Sequence, residues 1–145
     1  MGKWAQGPYT VRNPKKYIGK GVPRYRSGWE LTFMNFCDNN DSILYWASEP
    51  FRIPYRHPFT GKHTIYVPDF FVVYQSKRGQ IAEIVEIKPK KQSIIESKRA
   101  NAKTQATVAI NHAKWVAAKA YCKAQGITFR VITEDDLYRN GGKNR

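Results

Sequence analysis

Acidic residues are scarce in this 145-residue chain, and none occurs before Glu30. Eleven Asp and Glu face 25 Lys and Arg, giving a net charge of +14. With a pI near 9.9, that balance points to a polyanionic partner, nucleic acid first. An anionic membrane surface would require a basic amphipathic helix, which the pattern does not supply. No apolar run approaches the roughly 20 residues needed to span a bilayer. No basic start runs into an apolar stretch, so neither a membrane span nor a secretory leader is expected. Only Cys37 and Cys122 are present, too few and too far apart for a disulfide framework. A reducing, intracellular setting is the expectation. Among the three histidines, His57 and His63 have no companions at metal-site spacing, which argues against zinc.

What the chain does contain is enough for one core, since its length suits a single domain and 41% of its residues are hydrophobic. Residues 1–26 read as an extended basic arm, carrying Lys3, Arg12, Lys15, Lys16, Lys20, Arg24 and Arg26 between glycines and prolines. Trp4, Tyr9, Tyr17 and Tyr25 interleave with them, either to stack on bases or to anchor the arm to its own domain. Residues 27–139 are the expected domain, and 140–145 a polar tail.

The central stretch, residues 67–91, holds two runs rich in Val, Ile, Phe and Tyr, joined by Ser76-Lys77-Arg78-Gly79. This predicts a β-hairpin. A turn centred on Lys77 and Arg78 sets Asp69 opposite Glu86, and opposed Cβ atoms lie about 4.5–5.5 Å apart. Two like charges there destabilise a sheet unless a cation sits between them. Mg²⁺ fits, because it takes oxygen ligands and often uses one or two carboxylates plus phosphate. Lys88, two residues beyond Glu86, points to the same face. Local capping of Asp69 and a solvated Lys88 are the plainer alternative.

Around this hairpin, Ser27 and Glu30 predict a capping box opening a helix to about Asn39. Glu30 also falls on the stripe of Phe33, Met34 and Cys37, where an inward carboxylate requires a cation or hydrogen bonds. Glu30 is therefore read as a site residue that can also cap, with capping alone as the plainer alternative. Asp38-Asn39-Asn40-Asp41 should end that helix. Short strands are expected over 43–47 and 51–56, the latter held to an edge by Pro50 and Pro54, then a longer strand over 63–74. A helix is expected over 94–125, interrupted near 101–107. Its small-residue face is Ala109, Ala113, Val116, Ala117, Ala120, Tyr121 and Ala124. Its Lys98, Arg99, Lys103, Lys114, Lys119 and Lys123 form either a solvated face or a DNA-facing one, and Gln105 reaches the acids only if the helix covers them. Gly126 suits the helix end. A strand over 127–132 can then join in parallel, and Thr133 caps a last short helix whose Glu134, Asp135 and Asp136 suit its positive end.

Pro68-Asp69 with Glu86-Ile87-Lys88 resembles the PD-(D/E)XK nuclease signature. The element order resembles the restriction-endonuclease-like core, an α/β (α+β) fold with a central mixed sheet flanked by helices. Arg26-Ser27-Gly28-Trp29-Glu30, Cys37-Asp38-Asn39-Asn40, Trp46-Ala47-Ser48-Glu49, Ile53-Pro54-Tyr55 and Pro68-Asp69-Phe70 resemble the head-completion nucleases of T-even-type tailed phages. The likeness to TnsA-type transposon endonucleases is more distant. These resemblances imply Mg²⁺- or Mn²⁺-dependent hydrolysis of DNA in an infected bacterium, with a portal or head–tail connector as further partner and the virion as a further location. They imply Asp69, Glu86 and the Ile87 carbonyl as metal ligands, Lys88 orienting or activating the attacking water, and Glu30 holding a second metal or a metal-bound water. Arg26, Lys90, Lys91, Lys98, Arg99 and Lys103 are the expected DNA contacts. The competing readings are a non-catalytic basic assembly protein that uses this fold only to hold DNA or a portal ring, and a ribosomal-type RNA binder, which explains the charge but not the opposed acids.

Overall fold

The computed structural model describes residues 6–89 and 102–137. Its centre is a four-stranded mixed sheet in the order β3-β6-β7-β8, formed by Ile43–Ser48, Phe70–Ser76, Gly79–Ile87 and Thr128–Ile132. β6 and β7 are the expected hairpin. Their pairs run from Phe70 opposite Val85 to Ser76 opposite Gly79, the register that carries Asp69 to Glu86. Ser76 Oγ closes the turn, accepting from the Arg78 amide and donating to the Gly79 carbonyl, and Gly79 takes φ 107°. β3 adds antiparallel to β6, and β8 adds parallel to β7.

The parallel step needs a crossover, and helix α2 (Ala102–Gln125) supplies it. Gly126 stops the helix at φ 75°, and the Ile127 amide returns to the Cys122 carbonyl at 2.9 Å. The helix runs without a break from Ala102, so the interruption expected through Thr107 does not occur there. Its phase also differs from the expected alanine face. Val108, Asn111, Trp115, Ala118 and Cys122 are buried, while Val116 is exposed and Ala120 and Ala124 face outward. Burying the Trp115 indole removes far more apolar surface than burying alanines, and it sets the rotation.

The other face of the sheet is covered by α1 (Gly28–Asn39). Phe33, Met34 and Cys37 pack on Trp46, Phe70, Val72 and Val85. On the α2 face, Ile84 meets Trp115, Ala118 and Cys122. The expected single strand over 63–74 is two strands. β5 (His63–Tyr66) pairs with β4 (Ile53–Arg56) in a separate ribbon, and the chain re-enters the main sheet only after Pro68. Pro68 has no amide hydrogen for a ladder, so the break falls there. β4 and β5 have no other sheet neighbours among the described residues, as Pro54 required.

In the arm, β1 (Gly7–Pro8) pairs with β2 (Arg24–Tyr25). Tyr9 and Tyr17 stack edge-on against Trp46 at 5.9 and 4.7 Å. Asp38, fully buried near the end of α1, ties the arm down. It accepts from the Tyr9 hydroxyl at 2.8 Å and from the Arg12 and Asn13 amides at 2.7 and 3.1 Å. Burial pushes this carboxyl up, but the donors outweigh it and hold its pKa below the usual value. Both cysteines are buried free thiols. The expected tail, 140–145, lies outside the described residues.

Candidate active site

The open end of the β6–β7 hairpin gathers the acids. Glu86, only 3% exposed, is the second-last residue of β7, and Asp69 immediately precedes β6. The Asp69 amide donates to Glu86 Oε1 at 3.2 Å, and the Ile87 amide donates to Asp69 Oδ2 at 2.8 Å. Lys88 Nζ stands 3.5 Å from Glu86 Oε2. Its own amide continues the parallel ladder by donating to the Ile132 carbonyl at 3.0 Å, so the lysine is held on a rigid strand end. Asp69, Glu86 and Lys88 therefore meet where the hairpin register places them.

Burial pushes Asp69 well above the ordinary carboxylate range, and repulsion from Glu86 and Glu30 adds to it. Glu86 is also raised by burial, with Lys88, the Tyr66 hydroxyl and the Asp69 amide opposing the shift. Glu30, raised by burial, feels both Glu49 and Glu86. Anions crowded in this way are short of positive charge, which is the condition under which a carboxylate pair binds a cation. Among the described residues, no three His, Cys, Asp or Glu side chains form a ready-made metal cage. Two carboxylates with a backbone carbonyl nonetheless suit Mg²⁺, which keeps waters or phosphate in its remaining positions.

Glu30 enters from α1. The Ser27 hydroxyl accepts from its amide at 3.1 Å, completing half of the expected capping box. Its carboxylate reaches the Arg26 amide at 3.1 Å rather than Ser27. Arg26, expected to contact DNA, makes an exposed 3.0 Å ion pair with Glu49. Lys103 is exposed near the start of α2, as is Gln105. Lys90, Lys91, Lys98 and Arg99 lie outside the described residues.

Three neighbours of the acids were not anticipated as site residues. The Tyr66 hydroxyl donates to Glu86 Oε1 at 2.7 Å, and burial with the adjacent acids keeps it protonated. Lys114 sits with Nζ 5.6 Å from the centre of the Tyr66 ring, close enough to Glu86 and Asp69 to feel both. Burial and the nearby Lys88 lower its pKa. Glu49 holds φ 50°, a left-handed conformation that strains a non-glycine residue, while its amide donates to the Asp69 carbonyl at 2.8 Å. Of the three, Lys114 alone lies on a helical stripe that can be traced in the sequence, and only once Trp115 is taken as that stripe's centre. It stands three residues after Asn111 and four before Ala118, on the true buried stripe of α2.

Residues 40–134, which include Asp69, Glu86 and Lys88, match the TnsA-like endonuclease N-terminal family. The head completion nuclease of Enterobacteria phage T4 is 36% identical over 149 residues, covering 94% of this chain and 96% of that protein. With a mixed sheet between two helices and the acids at its hairpin mouth, the chain belongs to the TnsA-like endonuclease family, within the PD-(D/E)XK superfamily.

Proposed function

We propose that this protein is a divalent-metal-dependent endodeoxyribonuclease that acts in phage head completion. The observation that carries the reading is the convergence of Asp69 and Glu86 with Lys88 at the open end of one hairpin. The phage relative supports the biological setting, and the net charge of +14 supports a DNA substrate. Asp69, Glu86 and the Ile87 carbonyl would hold Mg²⁺ or Mn²⁺, and Glu30 would serve a second ion. Such an ion supplies Lewis-acid polarisation of the phosphate and eases deprotonation of water at neutral pH. Tyr66 and the Asp69 amide fix the direction of Glu86. Lys88 orients the attacking water, and with Lys114 it offsets the charge that grows on the phosphate. The expected sites of action are the infected host cell and the virion, with DNA and a portal or connector protein as partners. Among the described residues, no helix is long and apolar enough to cross a membrane.

Incubating supercoiled plasmid with the protein tests this directly. Nicked or linear product with Mg²⁺, and none with EDTA, is the expected result. Salt-sensitive binding without cleavage under any divalent ion would instead favour a non-catalytic assembly protein.

A further inference from the structure

The β4–β5 ribbon carries a feature that the core does not require. Its base is anchored: Ile53, Tyr55 and Tyr66 are buried against Ile84, Trp115 and Ala118. Its far end, residues 57–62, is built to hold one shape. His57 Nδ1 accepts from the Phe59 and Thr60 amides at 3.2 and 3.3 Å. The His57 amide donates to the Lys62 carbonyl, and the Gly61 amide to the His57 carbonyl, each at 2.9 Å. Arg56 Nε donates to the Gly61 carbonyl at 3.0 Å, and Gly61 takes φ 72°. This framework presents Phe59 outward. Phe59 is 62% exposed, belongs to neither core cluster, and its ring touches His57 only in a tilted contact at 5.9 Å. Leaving a phenylalanine in water forgoes roughly 2 kcal/mol of burial, yet the turn is ordered so as to expose it.

The ribbon's own formal charge has one sign. Residues 50–68 contain no Asp or Glu, and Arg52, Arg56, Lys62 and His63 are exposed along the ribbon. The same ribbon ends at Tyr66, whose hydroxyl bonds Glu86. A four-residue strand plus its turn reaches roughly 15–20 Å from Tyr66, or about five base pairs at 3.4 Å per step.

We propose that the β4–β5 ribbon is a DNA-docking wing. Phe59 enters a groove of the duplex and packs on base or sugar edges, while Arg56 and Lys62 contact the flanking phosphates. The wing sets which phosphate faces Asp69 and Glu86. This assignment deepens the nuclease reading and rests on it for the substrate.

The test uses the full chain with a fluorescent duplex in EDTA, alongside plasmid cleavage in Mg²⁺, with melting temperatures confirming that each variant folds. Phe59→Ala should weaken binding and raise KM by roughly tenfold, with kcat and the salt dependence unchanged. Phe59→Tyr should restore both. Arg56→Gln with Lys62→Gln should flatten the slope of log affinity against log salt by about 2. Wild-type binding and cleavage by Phe59→Ala would overturn the wing. So would normal DNA affinity joined to a failure to complete phage heads, which would assign the ribbon to a protein partner. A wild-type chain that binds duplex through Phe59 but never cuts would sustain the wing and sink the nuclease.

Discussion

The Asp69 amide donates to the Glu86 carboxylate, while the amide next to Glu86, on Ile87, donates back to the Asp69 carboxylate. This clasp closes the mouth of the β6–β7 hairpin and holds two acids together against their repulsion. Its cost gives the first prediction. Asp69 has a folded pKa raised above its ordinary 3.8. The stability it contributes is therefore full below that value and is lost as pH rises through the higher folded one. Metal-free Asp69→Asn should melt a few degrees above wild type at pH 7.5, about 1 kcal/mol, and the gap should close in acid. The asparagine oxygen can still accept from Ile87, so the clasp survives. A variant that melts lower at neutral pH would contradict the strain.

The two lysines divide along different lines. Lys88 is fixed on the strand end beside Glu86, so Lys88→Ala should lower kcat by roughly 10²–10³. Lys114 approaches from α2 over the Tyr66 ring. Lys114→Ala should cost about tenfold in kcat/KM and Lys114→Arg should recover most of it. Steady-state cleavage of a short duplex measures both, and an inert Lys114→Ala would remove that residue from the site.

The arm offers a prediction of the opposite sign. Asp38 is held below its ordinary 3.8 by the Tyr9, Arg12 and Asn13 donors. Its stabilisation is present above that value and is lost as pH falls through the lower folded one. Asp38→Ala leaves buried donors without an acceptor and should cost about 3 kcal/mol at pH 7. Urea unfolding at pH 7 and at pH 2.5 should show that difference shrinking in acid. An equal loss at both values would show that packing, not charge, anchors the arm.

Much of this was legible because local rules and the fold agree. The Ser76–Gly79 turn fixes a two-residue loop, and with it the register that sets Asp69 against Glu86. Ser27 and Gly126 mark helix ends through hydrogen-bond geometry that any neighbour would leave intact. What could not be read depended on tertiary competition. The rotation of α2 followed Trp115 rather than its many alanines, and that rotation is what turns Lys114 inward. Tyr66 reaches Glu86 only because the chain leaves one ribbon at Pro68 and enters another sheet. Glu49 stands out through a backbone angle that its sequence does not announce.

The central claim is that Asp69 and Glu86 grip one divalent ion together. Titrating Mn²⁺ into the protein, followed by electron paramagnetic resonance of the free ion, measures this without relying on turnover. Wild type should take up Mn²⁺, and Asp69→Ala and Glu86→Ala should each weaken uptake by roughly tenfold or more. Uptake by the Asp69→Ala/Glu86→Ala double variant equal to that of wild type would contradict the claim.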